Sequence, residues 1–224
     1  MEYLPGPKMV CIPGGVFRVD PHLSKLKQCI VEVQDFWMDE TPVTVAQYLE
    51  AVKAGACSPP DGVDKNKWSN WNVVGRENHP VNCIDWHQAK LYCESLGKRL
   101  PTEAELEWAA RGGDEARTYP WGDEEPTDQL CWDGKGNDLG EDNRESTSPV
   151  GSYPKGNSRH GLKDMAGNVW EWTASAYESA PEDRVLRGGG WVEHKCILVN
   201  TSVRVREHVT DRYGYLGFRC VRSA

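Results

Sequence analysis

The stretch Gly161–Trp172, GLKDMAGNVWEW, constrains this chain more than any other. Gly167-Asn168 makes a turn, because glycine and asparagine tolerate backbone conformations that other residues resist. Trp170 and Trp172 follow it at a spacing of two, which on a strand places both indoles on one face. Asp164 and Glu171 flank the turn with carboxylates, and the turn can aim backbone carbonyls between them. Carboxylates mixed with carbonyls form the oxygen set that calcium takes, roughly six to eight ligands in all. The plainer alternative is an ordinary tight turn that feeds a buried strand, with Glu171 in water.

The rest of the chain suits a loop-rich fold pinned by indoles. There are 10 tryptophans against 3 phenylalanines, and glycine and proline are abundant at 22 and 14. A chain of 224 residues can bury roughly 70 % of its unfolded surface and needs no staples. The net charge of −8, with no lysine or arginine cluster, disfavours nucleic acid and anionic membranes as partners. No apolar run is long enough for a membrane span. The N-terminal residues lack a basic region followed by an apolar core, so no signal peptide is visible. A cytoplasmic location is the default expectation, with surface display also open. The eight cysteines form no CxxC pair, so zinc-site spacing is absent.

In chain order, Met9–Asp20 reads as strand, Pro-Gly-Gly turn, strand, and Cys29–Met38 as a second strand pair. Thr44 is an N-cap with Gln47 as its capping-box partner, and Val45, Tyr48, Leu49 and Val52 share one helix face. Gly55–Asn78 reads as a long surface loop, with Trp68 and Trp71 tucked onto the body. Asp85 caps a helix whose Trp86, Ala89, Leu91, Tyr92 and Leu96 recur at helical spacing. Thr102 and Glu105 open another helix, with Leu106, Trp108 and Ala109 inward and Gly112 as its stop. Glu103, Glu105 and Glu107 fit the helix dipole better than they fit acid–base chemistry. His79 and His87 fit no common metal spacing. Gly134-Lys135-Gly136 is no phosphate loop, because it follows no strand and sits among Asp133, Asp138, Glu141 and Asp142.

GLKDMAGNVWEW, together with the HPV, RLPTEAE, ARGG, YPWGD, PVGSYP, RGGGW and GFR steps, closely resembles the formylglycine-generating enzyme / sulfatase-modifying-factor domain family. The likeness runs from about Met9 to Arg222. It implies a single domain over 1–224 with an α+β, C-type-lectin-like fold of small antiparallel sheets, two main helices and much loop. It implies a structural calcium held by the side chains of Asp164 and Glu171 and the carbonyls of Gly167 and Val169. A first calcium site of the family does not carry over, because Cys131 stands where its asparagine would be. The likeness also implies a disulfide between Cys93 and Cys220, with two buried thiols as the alternative reading.

The segment between RGGGW and GFR decides the expected function. The family's oxidising members carry a copper-binding cysteine pair there, and those positions hold Glu193 and Leu198 here. Cys196 is off register, and one thiolate does not make a copper(I) site, so no copper is expected. The segment instead resembles the variable region of proteins diversified by retroelements, with Leu198, Arg204 and Arg212 as its fixed skeleton. That resemblance implies a non-enzymatic protein that binds an unknown protein or other macromolecular ligand. The binding face would be Val192, Glu193, His194, Cys196, Ile197, Val199, Asn200, His208, Tyr213 and Tyr215. A competing reading buries Ile197, Val199 and Val203 as alternate residues of a strand. An oxidase of a peptide cysteine and a sensor or scaffold domain are the other functional readings.

Overall fold

The computed structural model describes residues 7–18, 30–60, 68–134 and 146–224. The expectations on Cys29, Lys135, Gly136, Asp138, Glu141 and Asp142 lie outside the described residues. The fold is mixed α+β, with short helices and small sheets joined by long connections.

Each helix starts where its local sequence directs. Helix α1, Val45–Lys53, is capped by Thr44, whose hydroxyl accepts from the Gln47 N–H while the Gln47 side chain accepts from the Thr44 N–H. The same reciprocal box opens α2, Trp86–Ser95, through Asp85 and Gln88, and α3, Glu103–Ala110, through Thr102 and Glu105. Each box satisfies two backbone donors that a helix start leaves orphaned. Helix α1 turns Val45, Tyr48 and Ala51 inward, with Leu49 and Val52 half-buried beside them. Helix α2 departs from the expected face. Leu91 is 49 % exposed, and Cys93 takes the buried place instead.

The strands pair differently from the sequence reading. Met9–Ile12 (β1) and Gly15–Arg18 (β2) do not form a hairpin with each other. β1 pairs with Phe36–Asp39 (β4), and β2 pairs with Ile30–Val33 (β3), so the Pro13–Gly15 step carries the chain from one sheet to another. A Cβ on Gly14 would stand 2.2 Å from the Val33 carbonyl oxygen, so the crossing requires glycine. The expected last strand, Leu216–Val221, is also divided. Leu216–Gly217 (β8) runs parallel to Trp170–Tyr177 (β5). Val221–Ser223 (β9) pairs with β4 and closes the sheet β1-β4-β9. The larger sheet has the order β7-β6-β5-β8, with β6 at Ala180–Arg187 and β7 at Arg204–His208.

The core follows from this closure. Trp170 and Trp172 enter one apolar cluster with Tyr48, Tyr92, Leu216 and Phe218. A second cluster packs α3 against β1 to β4 through Leu106, Trp108, Phe17 and Met38. Glu107 corrects the dipole reading of the α3 carboxylates. It is 2 % exposed and accepts from Arg187 at 2.7 Å across to β6. Trp71 is buried as expected, whereas Trp68 remains 41 % exposed.

Candidate functional site

The Gly161–Trp172 stretch ties together three loops that are distant in sequence. Gly167 and Asn168 both take positive φ, 75° and 64°. A side chain on Gly167 would meet the Cys131 carbonyl oxygen at 2.6 Å, so only glycine fits there. The Asn168 backbone donates to the Cys131 carbonyl, and its amide side chain pairs both ways with the Ser148 backbone. The Trp191 N–H then donates to the Asn168 carbonyl, which anchors the start of the C-terminal segment to the turn.

Asp164 and Glu171 are both buried, so the reading with Glu171 in water is corrected. Both Glu171 oxygens accept from the Arg219 guanidinium, at 2.7 to 3.0 Å. The same guanidinium donates to the carbonyls of Asp39, Glu40, Lys163 and Asp164. The Asp164 carboxylate accepts from the Gly151 N–H at 2.7 Å, while burial pushes its pKa up to about 6. Burial also drives the Glu171 carboxyl upward, and Arg219 opposes it. The positive charge at this turn is thus Arg219 itself. A calcium on Asp164, Gly167, Val169 and Glu171 would have to draw Glu171 off Arg219 or bind without it. Among the described residues, no three His, Cys, Asp or Glu side chains gather as a metal-holding group. Sequence reasoning missed Arg219, although an arginine inside the apolar run LGFRCV was a signal of a buried partner.

The C-terminal segment is pinned at intervals and open between its pins. After β6 the chain turns through Gly188 and Gly189, both at positive φ, and buries Trp191. Residues Cys196–Val199 form a short 3-10 turn rather than a strand. Val199 corrects the expected face, since it is fully buried against Tyr119, Leu130, Trp132 and Ala166, with Cys196 half-buried at the edge. Ile197, next to Cys196 and two residues from Val199, is 56 % exposed, so the buried-strand alternative fails for it. Val203 and Val209 are further buried anchors. Arg204 pairs with Glu103 and Glu178, Arg212 pairs with Asp85, and Leu198 packs on the main core.

Between these pins, His194, Ile197, His208 and Tyr213 are exposed, and Val192, Glu193, Asn200 and Tyr215 are half-buried. The Tyr213 and Tyr215 rings stack with centroids 5.1 Å apart. The Trp170 indole, otherwise in the core, donates its Nε1–H to Glu193 at 2.7 Å. Tyr215 donates its hydroxyl to Glu207 at 3.3 Å, a partner the sequence reading left out. Burial raises the carboxyl pKa of both Glu193 and Glu207.

Cys93 on α2 and Cys220 beside β9 are brought together, Sγ to Sγ 2.8 Å. No helix of the described residues is long and apolar enough to cross a membrane.

Comparison with known proteins places these features. The inactive C-alpha-formylglycine-generating enzyme 2 of Bos taurus is 44 % identical over 157 residues, covering 65 % of this chain and 50 % of that protein. The chain thus spans about half the length of that relative. The formylglycine-generating enzyme of Mus musculus is 32 % identical, over 95 % of this chain and 74 % of its own length. Among solved structures, Treponema denticola variable protein 1 superposes with a TM-score of 0.77 at 21 % identity, covering 96 % of this chain and 95 % of that one, and so shares the fold. The model of the sulfatase-modifying factor enzyme 1-like domain matches residues 2–224, and the chain belongs to that family.

Proposed function

We propose that this chain is a non-enzymatic ligand-binding protein of the retroelement-diversified variable type, with its binding face on residues 192–215. One observation carries the reading. The segment is fixed by buried anchors, Trp191, Val199, Val203, Val209 and Leu216, while His194, Ile197, His208 and Tyr213 between them are exposed. Such a layout lets exposed residues change without disturbing the core. Glu193 and Leu198, at the positions of the family's catalytic cysteines, are engaged otherwise: one holds the Trp170 indole and the other packs on the core. The likeness in fold to a protein titled variable protein, and in sequence to one named inactive, supports the same side. The ligand is a protein or other macromolecule. A structural calcium at Asp164, Gly167, Val169 and Glu171 and a Cys93–Cys220 bridge belong to the same proposal, and no part of ligand binding is routed through either.

The test is a small library in which His194, Ile197, His208 and Tyr213 vary freely. Each substitution should leave stability within about 0.5 kcal/mol, as is usual for surface positions. Binders raised against one member should fail against others. A library that unfolds at most members refutes the reading. So does conversion of a peptide cysteine to formylglycine by the purified chain with copper and oxygen.

A further inference from the structure

His79, which fits no metal spacing, closes a polar network that joins three distant segments. Asn70, fully buried, is its centre. The Asn70 Nδ2 donates to the Pro80 carbonyl and to the Thr147 hydroxyl, and its Oδ1 accepts from Arg76 at 2.7 Å. The Asn70 N–H donates to the Asn82 Oδ1, and the Asn82 amide donates in turn to the carbonyls of Trp68 and Gly214. Arg76 also donates to the Ser146 hydroxyl, and the Val150 N–H donates to the Asn78 carbonyl. Residues 68–79 are thus tied to residues 146–150 on one side and to Gly214 on the other. A buried network of this kind fixes one arrangement as long as each member is satisfied.

Thr147 is the joint that depends on His79. Its hydroxyl oxygen lies 2.9 Å from His79 Nδ1 and 3.2 Å from Asn70 Oδ1, in a residue 4 % exposed. A hydroxyl has one proton to donate. Asn70 Oδ1 already accepts from Arg76, so beside a neutral imidazole the Thr147 hydroxyl donates to Nδ1, the nearer acceptor. A protonated imidazole carries a proton on both nitrogens and no longer accepts. The Thr147 proton then turns to Asn70 Oδ1, and a second positive charge enters a network in which Arg76 is held by two neutral side chains. Burial first, and Arg76 second, hold the His79 imidazole below its ordinary value, while Glu77 and the Thr147 backbone oppose them. Glu77 is exposed, and its carboxylate accepts from the Gly75 N–H. The other neighbours add no charge among the described residues. The first turn of α1, whose Val45 N–H donates to the His79 carbonyl, holds no acidic residue, and residues 146–150 read Ser-Thr-Ser-Pro-Val.

We propose that His79 and Thr147 form an acid-sensitive latch, which holds residues 68–79 against residues 146–150 at neutral pH and loosens them when the imidazole takes up a proton. The open segment binds that proton more readily than the closed one. The latch is therefore fully closed above the ordinary imidazole range, and its contribution is lost as pH falls through the lower value of the closed form.

The experiment is hydrogen exchange read by mass spectrometry on the full chain at about pH 8 and about pH 5, the two sides of the imidazole range, with rates corrected for the intrinsic effect of pH. Peptides within 68–79 should lose protection severalfold at the lower pH, relative to peptides of α2. His79→Gln keeps an oxygen that can accept from Thr147 but takes up no proton. It should retain the protection seen near pH 8 and show no loss near pH 5. The same loss in His79→Gln as in the wild type overturns the latch, and so does wild-type protection that does not change with pH. A thermal melt checks that the variant folds. If it does not, the imidazole proton resonances of the wild type decide: a His79 midpoint below the ordinary value supports the latch, and one at or above it overturns it.

Discussion

Glu171→Gln tests the buried centre of the family signature most directly. The Glu171 and Arg219 side chains are 1 % and 0 % exposed, and three donor–acceptor contacts of 2.7 to 3.0 Å join them. Glutamine keeps the shape but removes the charge and turns an amide donor toward a guanidinium that cannot accept. Breaking a buried pair by removing one partner costs about 3–5 kcal/mol. Arg219 keeps its contacts with the carbonyls of Asp39, Glu40, Lys163 and Asp164, so the lower end, about 3 kcal/mol, is expected. For a domain of this size that is a fall in Tm of about 6–12 °C. Arg219→Met strands a buried charge and those carbonyls together and should cost about 5 kcal/mol or more. The double variant should lose clearly less than the sum of the two. Urea unfolding and thermal melts, each in calcium and in chelator, give the values. If the ion pair alone holds Glu171, the cost of Glu171→Gln is the same in both buffers. If Glu171 ligates calcium, the chelator lowers the wild-type Tm and the cost of the variant shrinks with it. Losses below about 1 kcal/mol for both single variants in both buffers would refute the argument.

Three further outcomes are expected. Val199→Ala removes two methyl groups from a fully buried side chain and should cost about 1–3 kcal/mol by urea unfolding, whereas Ile197→Ala, two residues away, should stay within about 0.5 kcal/mol; equal costs would sink the anchor-and-face description. A thiol reagent at neutral pH should label exposed Cys11 first and leave buried Cys57 and Cys83 slow, since burial pushes both of these thiols up to about 11; mass mapping of the labelled sites decides. Burial raises Glu193 in the folded state, so its stabilising share is present below the ordinary carboxylate range and is lost as pH rises through the raised value. Wild-type stability should therefore fall relative to Glu193→Gln as pH is raised through and above that range, and a constant difference across the titration would count against it.

What the sequence made legible was local or belonged to a long family signature. Thr44 with Gln47, Asp85 with Gln88, and Thr102 with Glu105 are contacts three residues apart, so spacing alone discloses them. The α+β fold was legible through motifs distributed along the chain, because each marks a place where this backbone admits few residues. Gly167 beside the Cys131 carbonyl is one such place. Strand partners were not legible. Pro13-Gly14-Gly15 has the composition of a hairpin turn, yet it spans two sheets, because β1 takes β4 as its partner and β2 takes β3. The bond between Arg219 and Glu171 joins residues 48 apart, and no local pattern encodes it.

The candidate face divides the same way. Alternating apolar and polar types from Glu193 to Tyr215 suit a buried strand and an open binding loop equally well. The packing of Val199 under Tyr119 and Trp132 is set by residues about 70 to 80 positions earlier, and it decides which apolar side chains turn inward. Once those anchors are fixed, their exposed neighbours carry little of the folding energy. Glu193 and Glu207 are half-buried and partly desolvated, and each is held by an aromatic donor, Trp170 and Tyr215. Neither contact can be read from local sequence, because each appears only after folding has brought Trp170 to Glu193 and Tyr215 to Glu207.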